Sequence, residues 1–288
     1  MLFFIGIAVV AVSIILTVLI LGFPFSRLWQ PAEVIVILGC LLGGYIIANP
    51  RHVLGRTLPG MKEIIGGAKY TKQSYLELLS LLFQTFKLAK AKGMLALEGH
   101  VEHPNDSNLF SGFPSFSSDR HALTFLCDYL RLLTLGTDNP HEVEALMDEE
   151  IEAYLNERLQ LAGASKIVGD AATAFGIVAA VLGVIKTMVI AAGGGSTEEI
   201  TSGVAGALVG TFLGVLLGYA VFGPMALALK AVYDEEVHYY QCMKAGILAY
   251  MQGYAPAVCV EFARKVLMTS VRPSCYEVEE ATQGLPPV

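Results

Sequence analysis

The chain alternates between long stretches without charge and segments in which apolar residues recur every three or four positions. Asp, Glu, Lys and Arg are absent from residues 1–26, 34–50, 171–185 and 200–229. Roughly 20 apolar residues cross a hydrocarbon core, so four membrane-spanning helices are expected. The third is long enough only if it starts near Val168 and runs past Lys186. The opening MLFFIGIAVVAVSIILTVLILGF has neither the basic start nor the small-residue cleavage site of a signal peptide, and it is read as the first span.

Between the second and third spans the pattern becomes that of amphipathic helices. In KYTKQSYLELLSLLFQTFKLAKAKGML, Leu76, Leu78, Leu79, Leu82, Phe83 and Phe86 fall on one stripe. The segment PNDSNLFSGFPSFSSD at 104–119 interrupts it with Pro, Asn, Ser and Gly. A second helical run, ALTFLCDYLRLLTLG, ends at Gly136. A third opens with Asn139-Pro140-His141-Glu142: a capping residue, proline at the first helical position and an acid in the first turn. Its content, EVEALMDEEIEAYLNERL, is acidic on one face, which a solvated helix surface explains. KAVYDEEVHYYQCMKAGILAYMQG continues the fourth span, and the closing GLPPV is expected to be disordered.

The fourth span carries a ladder of Gly206, Gly210, Gly214 and Gly218. Glycine costs about 1 kcal/mol in a water-exposed helix. In lipid, however, close backbone approach drives helix association, and a small residue every fourth position permits it. Thr211 lies about 60° around the helix from Gly214, at the rim of that face. The third span has a matching seam, with Gly169, Gly176 and Gly183 every seven residues and Ala172 and Ala179 between them. Such faces pack on each other, on neighbouring subunits or on a foreign helix, and the pattern does not choose among these.

Charge adds direction. Arg51, Arg56 and Lys62 follow the second span, Arg158 and Lys166 precede the third, and Lys230 follows the fourth. The short connections 22–32 and 193–199 hold only Arg27. Positive residues stay on the cytoplasmic side, so both termini and the middle segment are expected there. The expected division is 1–50 as spans one and two, 51–166 as a cytoplasmic helical domain, 167–230 as spans three and four, and 231–288 as a cytoplasmic helical segment and tail.

At 54% hydrophobic and 16% charged, the composition is that of a membrane protein, and a net charge of -7 argues against nucleic acid as a partner. Five cysteines, odd in number and without paired spacing, read as reduced small apolar residues. HVEH at 100–103 and DEEVHYYQC at 234–242 contain ligand types without the spacing of a metal site. There is no phosphate-binding glycine loop and no nucleophile elbow, so neither a cofactor nor an enzyme is expected. Glu33 and Asp170 fall at span ends, and Lys186 is read as a side chain reaching the outer interface along its apolar stem. With no carboxylate at mid-membrane, an acid that carries ions has to come from another chain, with Thr211 placed to orient it or a water beside it.

The blocks QPAEVIVILGC, AKYTKQSYLELL, GMLALE, EALMDEEIE, VGD, AFGIVAAVLGVI, VGTFLG, GYAPAVCVEFARK and RPSCYEVEE, in this order over about residues 1–280, closely resemble the MotA type of flagellar motor stator subunit. The resemblance implies an all-α, multi-pass inner-membrane protein of bacteria with four transmembrane helices. Five copies would surround two copies of a single-span partner, MotB, whose membrane aspartate binds the ion. It implies that Thr211 faces the pore, that Pro224 and Asp170 serve coupling, and that Lys90 and Glu98 meet the rotor switch-ring protein FliG. Lys90 stands where the best-known members have arginine, keeping charge but losing the planar fork. Thr173 stands where the family has proline, restoring a backbone donor and adding a hydroxyl able to bond back one turn. The hinge would then be altered, or moved towards Gly169 or Gly176. Ala180, where sodium-driven relatives tend to have a hydroxyl, favours protons over sodium. The rival readings are a sodium-driven stator, a TolQ/ExbB-like energiser of an envelope complex, and a self-sufficient transporter, for which only Lys186 could serve.

Overall fold

A computed structural model describes residues 2–67 and 69–285, with the side chain of Leu2 outside the description. Among the described residues every regular element is helical. In chain order these are α1 (Leu2–Leu21), a 3-10 turn at Phe25–Leu28, α2 (Pro31–Ala48), α3 (Arg51–Gly66), α4 (Lys72–Lys92), a 3-10 turn at Met94–Leu97, α5 (Glu98–Glu102), a 3-10 turn at Pro104–Asp106, α6 (Asn108–Ser111), α7 (Pro114–Ser118), α8 (Arg120–Thr134) and α9 (Pro140–Ala192). After them come α10 (Thr197–Leu216), a π-helical segment at Leu217–Phe222, α11 (Gly223–Met251), α12 (Pro256–Lys265) and α13 (Cys275–Gln283).

Local chemistry accounts for the helix starts. Thr71 and Ser74 cap α4 reciprocally, as Ser196 and Glu199 cap α10 and Ser274 and Glu277 cap α13. At the start of α9 the Asn139 Oδ1 accepts from the backbone N–H of His141 at 3.1 Å, and Asn139 Nδ2 donates to Glu142 at 2.8 Å. This is the start that the Asn-Pro-His-Glu pattern predicts. The helix that carries the third apolar run continues past Lys186 to Ala192, as the tail of one 53-residue helix.

The chain forms two compact units, 1–67 with 157–232 and 68–156 with 233–288. The first contains α1 to α3, the later part of α9, α10, the π-segment and the start of α11. Four helices here are long and apolar enough to cross a membrane by length and composition. Their large apolar side chains are largely exposed, Ile20 at 84% and Ile47 at 88% for instance, a surface that suits hydrocarbon and not water. Helix α3 belongs to this unit although it is amphipathic. It is tied to α9 by Arg56–Glu157, by His52 with Gln160 (2.8 Å), and by a two-pronged pair in which Arg158 donates to both oxygens of Glu63 at 3.2 and 3.1 Å. These bonds join α3 to the unit of the apolar helices.

The second unit has an apolar core. Leu78, Leu79, Leu82 and Phe86 of the stripe on α4 are fully buried, and Leu76 and Phe83 pack at its edge. They meet Leu126 and Leu130 of α8, Met147 of α9, Met243 and Ile247 of α11, and Ala263 of α12. The interruption at 104–119 is ordered: α6 and α7 bury Phe110, Phe113 and Phe116, and the Phe116 N–H donates to Glu77 at 3.1 Å. Part of the acidic face of α9 is partnered, since Lys244 reaches Asp148 (2.6 Å) and Glu144 (3.5 Å) and Tyr129 donates to Glu150 at 2.8 Å. All five cysteines are unpaired. Burial pushes the Cys127 thiol up to about 12 and that of Cys259 up to about 11, so both stay protonated and inert. Leu285 still packs on this core, and the remainder of the closing GLPPV, 286–288, lies outside the described residues.

Candidate functional site

The small residues of α9 and α10 meet each other, which resolves the question the pattern left open for the single chain. The two helices run antiparallel with Ala207 opposite Gly183, Gly210 opposite Ala179 and Ala180, Gly214 opposite Gly176, and Gly218 opposite Gly169 and Thr173. Contact is backbone to backbone. A Cβ built on Gly214 would fall 2.6 Å from the carbonyl oxygen of Ala172 and 2.6 Å from the Cα of Gly176, and one on Gly183 would fall 2.7 Å from the Cβ of Ala207. No real side chain is tolerated at such distances without a shift of main chain. Dispersion between closely opposed backbones holds this seam, since lipid offers no hydrophobic drive.

Two hydroxyls and one alanine flank it. Thr211 follows Gly210 and is half-buried, and Ala180 presents its backbone nitrogen 3.3 Å from where a Gly210 Cβ would stand. Thr173 behaves differently from the expectation for it. Its Oγ1 is buried with no hydrogen-bond partner among the described residues, whereas Ser165 and Thr187 on the same helix bond back one turn to Leu161 (3.0 Å) and Gly183 (2.8 Å). The Thr173 hydroxyl points instead at Gly218, 2.7 Å from the Cβ position there.

Helix α9 is unbroken at Gly169 and Gly176, where a hinge would sit if the proline's role had moved along the same helix. The irregular element is across the seam. Leu217–Phe222 is π-helical and faces Gly169, whose Cβ position lies 3.2 Å from the Gly218 oxygen and 3.3 Å from the Gly223 nitrogen. π-Segments insert one residue into an α-helix and concentrate at functional sites. Pro224 lies two residues past this segment and is exposed, as is Asp170 on α9.

The upper half of the ladder serves another purpose. Gly206 makes room for the Gln30 side chain, whose Cδ is 3.3 Å from its Cβ position, and Gly210 for Glu33, whose Cγ is 3.4 Å away. Glu33, in the first turn of α2, thus reaches from the helix start to the edge of the seam, beside the residue that precedes Thr211, and its Oε2 is buried with no partner among the described residues. A carboxylate therefore does stand beside the small-residue face. The feature that could have flagged it is a glycine pair opposite a polar helix start.

In the second unit, Lys90 lies in the last turn of α4 and Glu98 opens α5. Both are exposed, and among the described residues neither is in a salt bridge, which leaves both charges open to a partner.

Comparison with known proteins covers nearly the whole chain. A family model described as Motility protein A N-terminal matches residues 4–93, and one described as the MotA/TolQ/ExbB proton channel family matches 119–242. The chain is 39% identical over 289 residues to Motility protein A of Escherichia coli K12, covering 99% of this chain and 96% of that protein. It is 32% identical to the chemotaxis protein LafT of Vibrio parahaemolyticus, covering 96% of each. Among solved structures, the flagellar MotAB stator complex from Bacillus subtilis matches with a TM-score of 0.69 at 26% identity, covering 92% of this chain and 94% of that one. A C. jejuni MotAB structure shares the fold with a TM-score of 0.74 at 17% identity.

Proposed function

The chain belongs to the MotA/TolQ/ExbB proton channel family, and from that premise we infer that it is the MotA-type stator subunit of a bacterial flagellar motor, forming with MotB an ion channel that drives rotation. The observation that carries this reading is the antiparallel glycine seam with Thr211 on its rim. It locks α9 and α10 into one tight two-helix wall, beside which a partner's helix can lie, and along α9 and α10 that wall has no acid of its own at mid-span. A match of the MotA N-terminal model over 4–93, beyond the segment matching the wider channel family, favours a stator over an envelope energiser of the TolQ/ExbB kind.

In this reading four transmembrane helices place 51–166 and 231–288 in the cytoplasm, with both termini on that side of the inner membrane, because flanking Lys and Arg gather there. Five copies surround two MotB helices, and the MotB aspartate takes up the ion. The ion is a proton: Ala180 offers no oxygen ligand, and a proton needs only an acid and a water path, while sodium needs several oxygens. No cofactor or metal is required, and there is no catalytic step. Thr211 orients the acid, Thr173 and Ala180 line the path, and Asp170, Gly176 and Pro224 with the π-segment pass movement along the helices. Lys90 and Glu98 engage FliG by charge. Lipid covers the exposed apolar faces of α1 and α2.

Swimming of a stator-deleted strain carrying this chain with its cognate MotB, measured against sodium concentration and against a protonophore, tests both parts. Swimming that is insensitive to sodium and abolished by protonophore is expected. Swimming that tracks sodium refutes the proton assignment, and absence of any rescue by the pair refutes the stator reading.

A further inference from the structure

Above the seam a cavity of about 640 Å3 opens at the start of α2, far larger than the roughly 30 Å3 share of one liquid water. Its wall is charged with both signs: Arg27 from the turn before α2, Glu33 from α2, Lys186 from α9, and Glu198 and Glu199 from α10, with Ser202 accepting from Arg27 at 3.2 Å. A wall of this kind is solvated, not packed. Glu33 is the member that leaves the wall. Its Cγ sits against Gly210, its Oε2 is sealed from solvent and finds no donor, and Thr211 is the next residue after Gly210. A buried carboxyl oxygen without a donor is costly, and a proton or a water delivered from the cavity removes the cost. Gly210 lies directly beside this side chain, its Cβ position 3.4 Å from Glu33 Cγ, and Gly206 lies beside that of Gln30, 3.3 Å from its Cδ.

We propose that this cavity is the outer antechamber of the ion path and that Glu33 is a proton-exchanging site within it, taking protons from water in the cavity and passing them to water beside Thr211. The proposal rests on the stator reading and deepens it, since it assigns to this chain a titrating group ahead of the partner's acid. No bond other than O–H forms or breaks. Glu33 gains a proton from a hydronium on the outer side and loses it to a water on the inner side. Arg27, Lys186, Glu198 and Glu199, all in the cavity wall, set the field in which that exchange occurs.

The test is proton flux through the complete complex with its single-span partner in vesicles, for the wild type and for Glu33→Gln, Glu33→Asp and Glu33→Ala, across outer pH. Glu33→Gln, assembled to the wild-type level, is expected to lower flux by at least about tenfold, a modest share of what a positioned proton-transfer group contributes. It is also expected to flatten the dependence on outer pH, with Glu33→Asp keeping most of both. Wild-type flux and pH profile in Glu33→Gln overturn the proposal, as does Glu33→Asp being no better than Glu33→Ala. Should Glu33→Gln fail to assemble, a Ser202→Cys complex exposed to a membrane-impermeant thiol reagent from the outer side decides. Labelling that lowers flux supports the antechamber, and protection of the cysteine overturns it. A wild-type complex without flux would instead count against the stator reading.

Discussion

The hydroxyl of Thr173 fills the space that a side chain at Gly218 would need, 2.7 Å from its Cβ position, and makes no hydrogen bond of its own. An unpaired buried hydroxyl costs about 1–3 kcal/mol, so a residue of the same shape without it should be at least as stable. Thr173→Val is therefore expected to leave thermal unfolding of the purified complex unchanged or raised by up to about 1 kcal/mol, while lowering swimming speed because the path loses an oxygen. Equal swimming would remove Thr173 from the path.

Alanine along the glycine ladder should act unevenly. At Gly214 the new methyl meets the backbone of Ala172 and Gly176 at 2.6 Å, whereas at Gly206 it meets the far end of the Gln30 side chain at 3.3 Å. Overpacking against main chain costs about 1–3 kcal/mol, and a side chain that can swing aside absorbs much of that. Gly214→Ala should reduce the yield of assembled complex sharply and Gly206→Ala mildly. The order of the two yields in one detergent extraction checks it.

Arg158 and Glu63 tie α3 to α9 through two parallel bonds at 3.2 and 3.1 Å. Removing Arg158 leaves a half-buried carboxylate. Arg158→Met is expected to destabilise by about 1–3 kcal/mol, Glu63→Gln by less, and the double variant by less than their sum. A double-mutant cycle on chemical unfolding reads the coupling, and an additive result would mean the pair holds nothing.

Acid sensitivity should have an identifiable source in the second unit. Burial alone would raise the Asp119 carboxyl, but Lys69 at 2.8 Å, the Tyr70 hydroxyl at 2.7 Å and the Ala122 N–H together hold it below its usual 3.8. Its pKa is lower folded than unfolded, so its contribution is complete above about pH 3.8 and is lost as pH falls through the lower folded value. Asp119→Asn is expected to lower stability at neutral pH and to narrow its gap to wild type in strong acid, followed by tyrosine fluorescence. A gap that widens in acid would contradict the assignment.

Charge reversal at Lys90 or Glu98 touches two exposed side chains that form no salt bridge among the described residues. Such changes alter stability by about 0.5 kcal/mol or less. Torque under load should fall while the melting temperature holds, and normal rotation of a tethered cell by both reversed proteins would dismiss them as rotor contacts.

Much of this architecture is written in local patterns. The four apolar runs, the stripe on α4 and the Asn139-Pro140 start are set by short-range chemistry, and the two small-residue seams announce a tight contact. What escaped depends on pairing across space. The π-segment at 217–222 has no sequence signature, because it answers to what faces it: Gly169 and the Thr173 hydroxyl. Glu33 reads as a span-end charge until Gly210 is seen to leave room for it. The phenylalanines at 110, 113 and 116 hide inside a Pro- and Ser-rich stretch whose breakers outweigh their regular three-residue spacing.

The wide turn at Leu217–Phe222 gives the helix a stored angular offset. Tightening that turn into even α-geometry with every residue kept would swing Pro224 by about 100° around the axis relative to Thr211, one residue's step. Which side of the rod the proline looks out from is therefore set by whether this one turn stays wide or tightens, a change that rotates the rod about its own axis with every covalent bond kept.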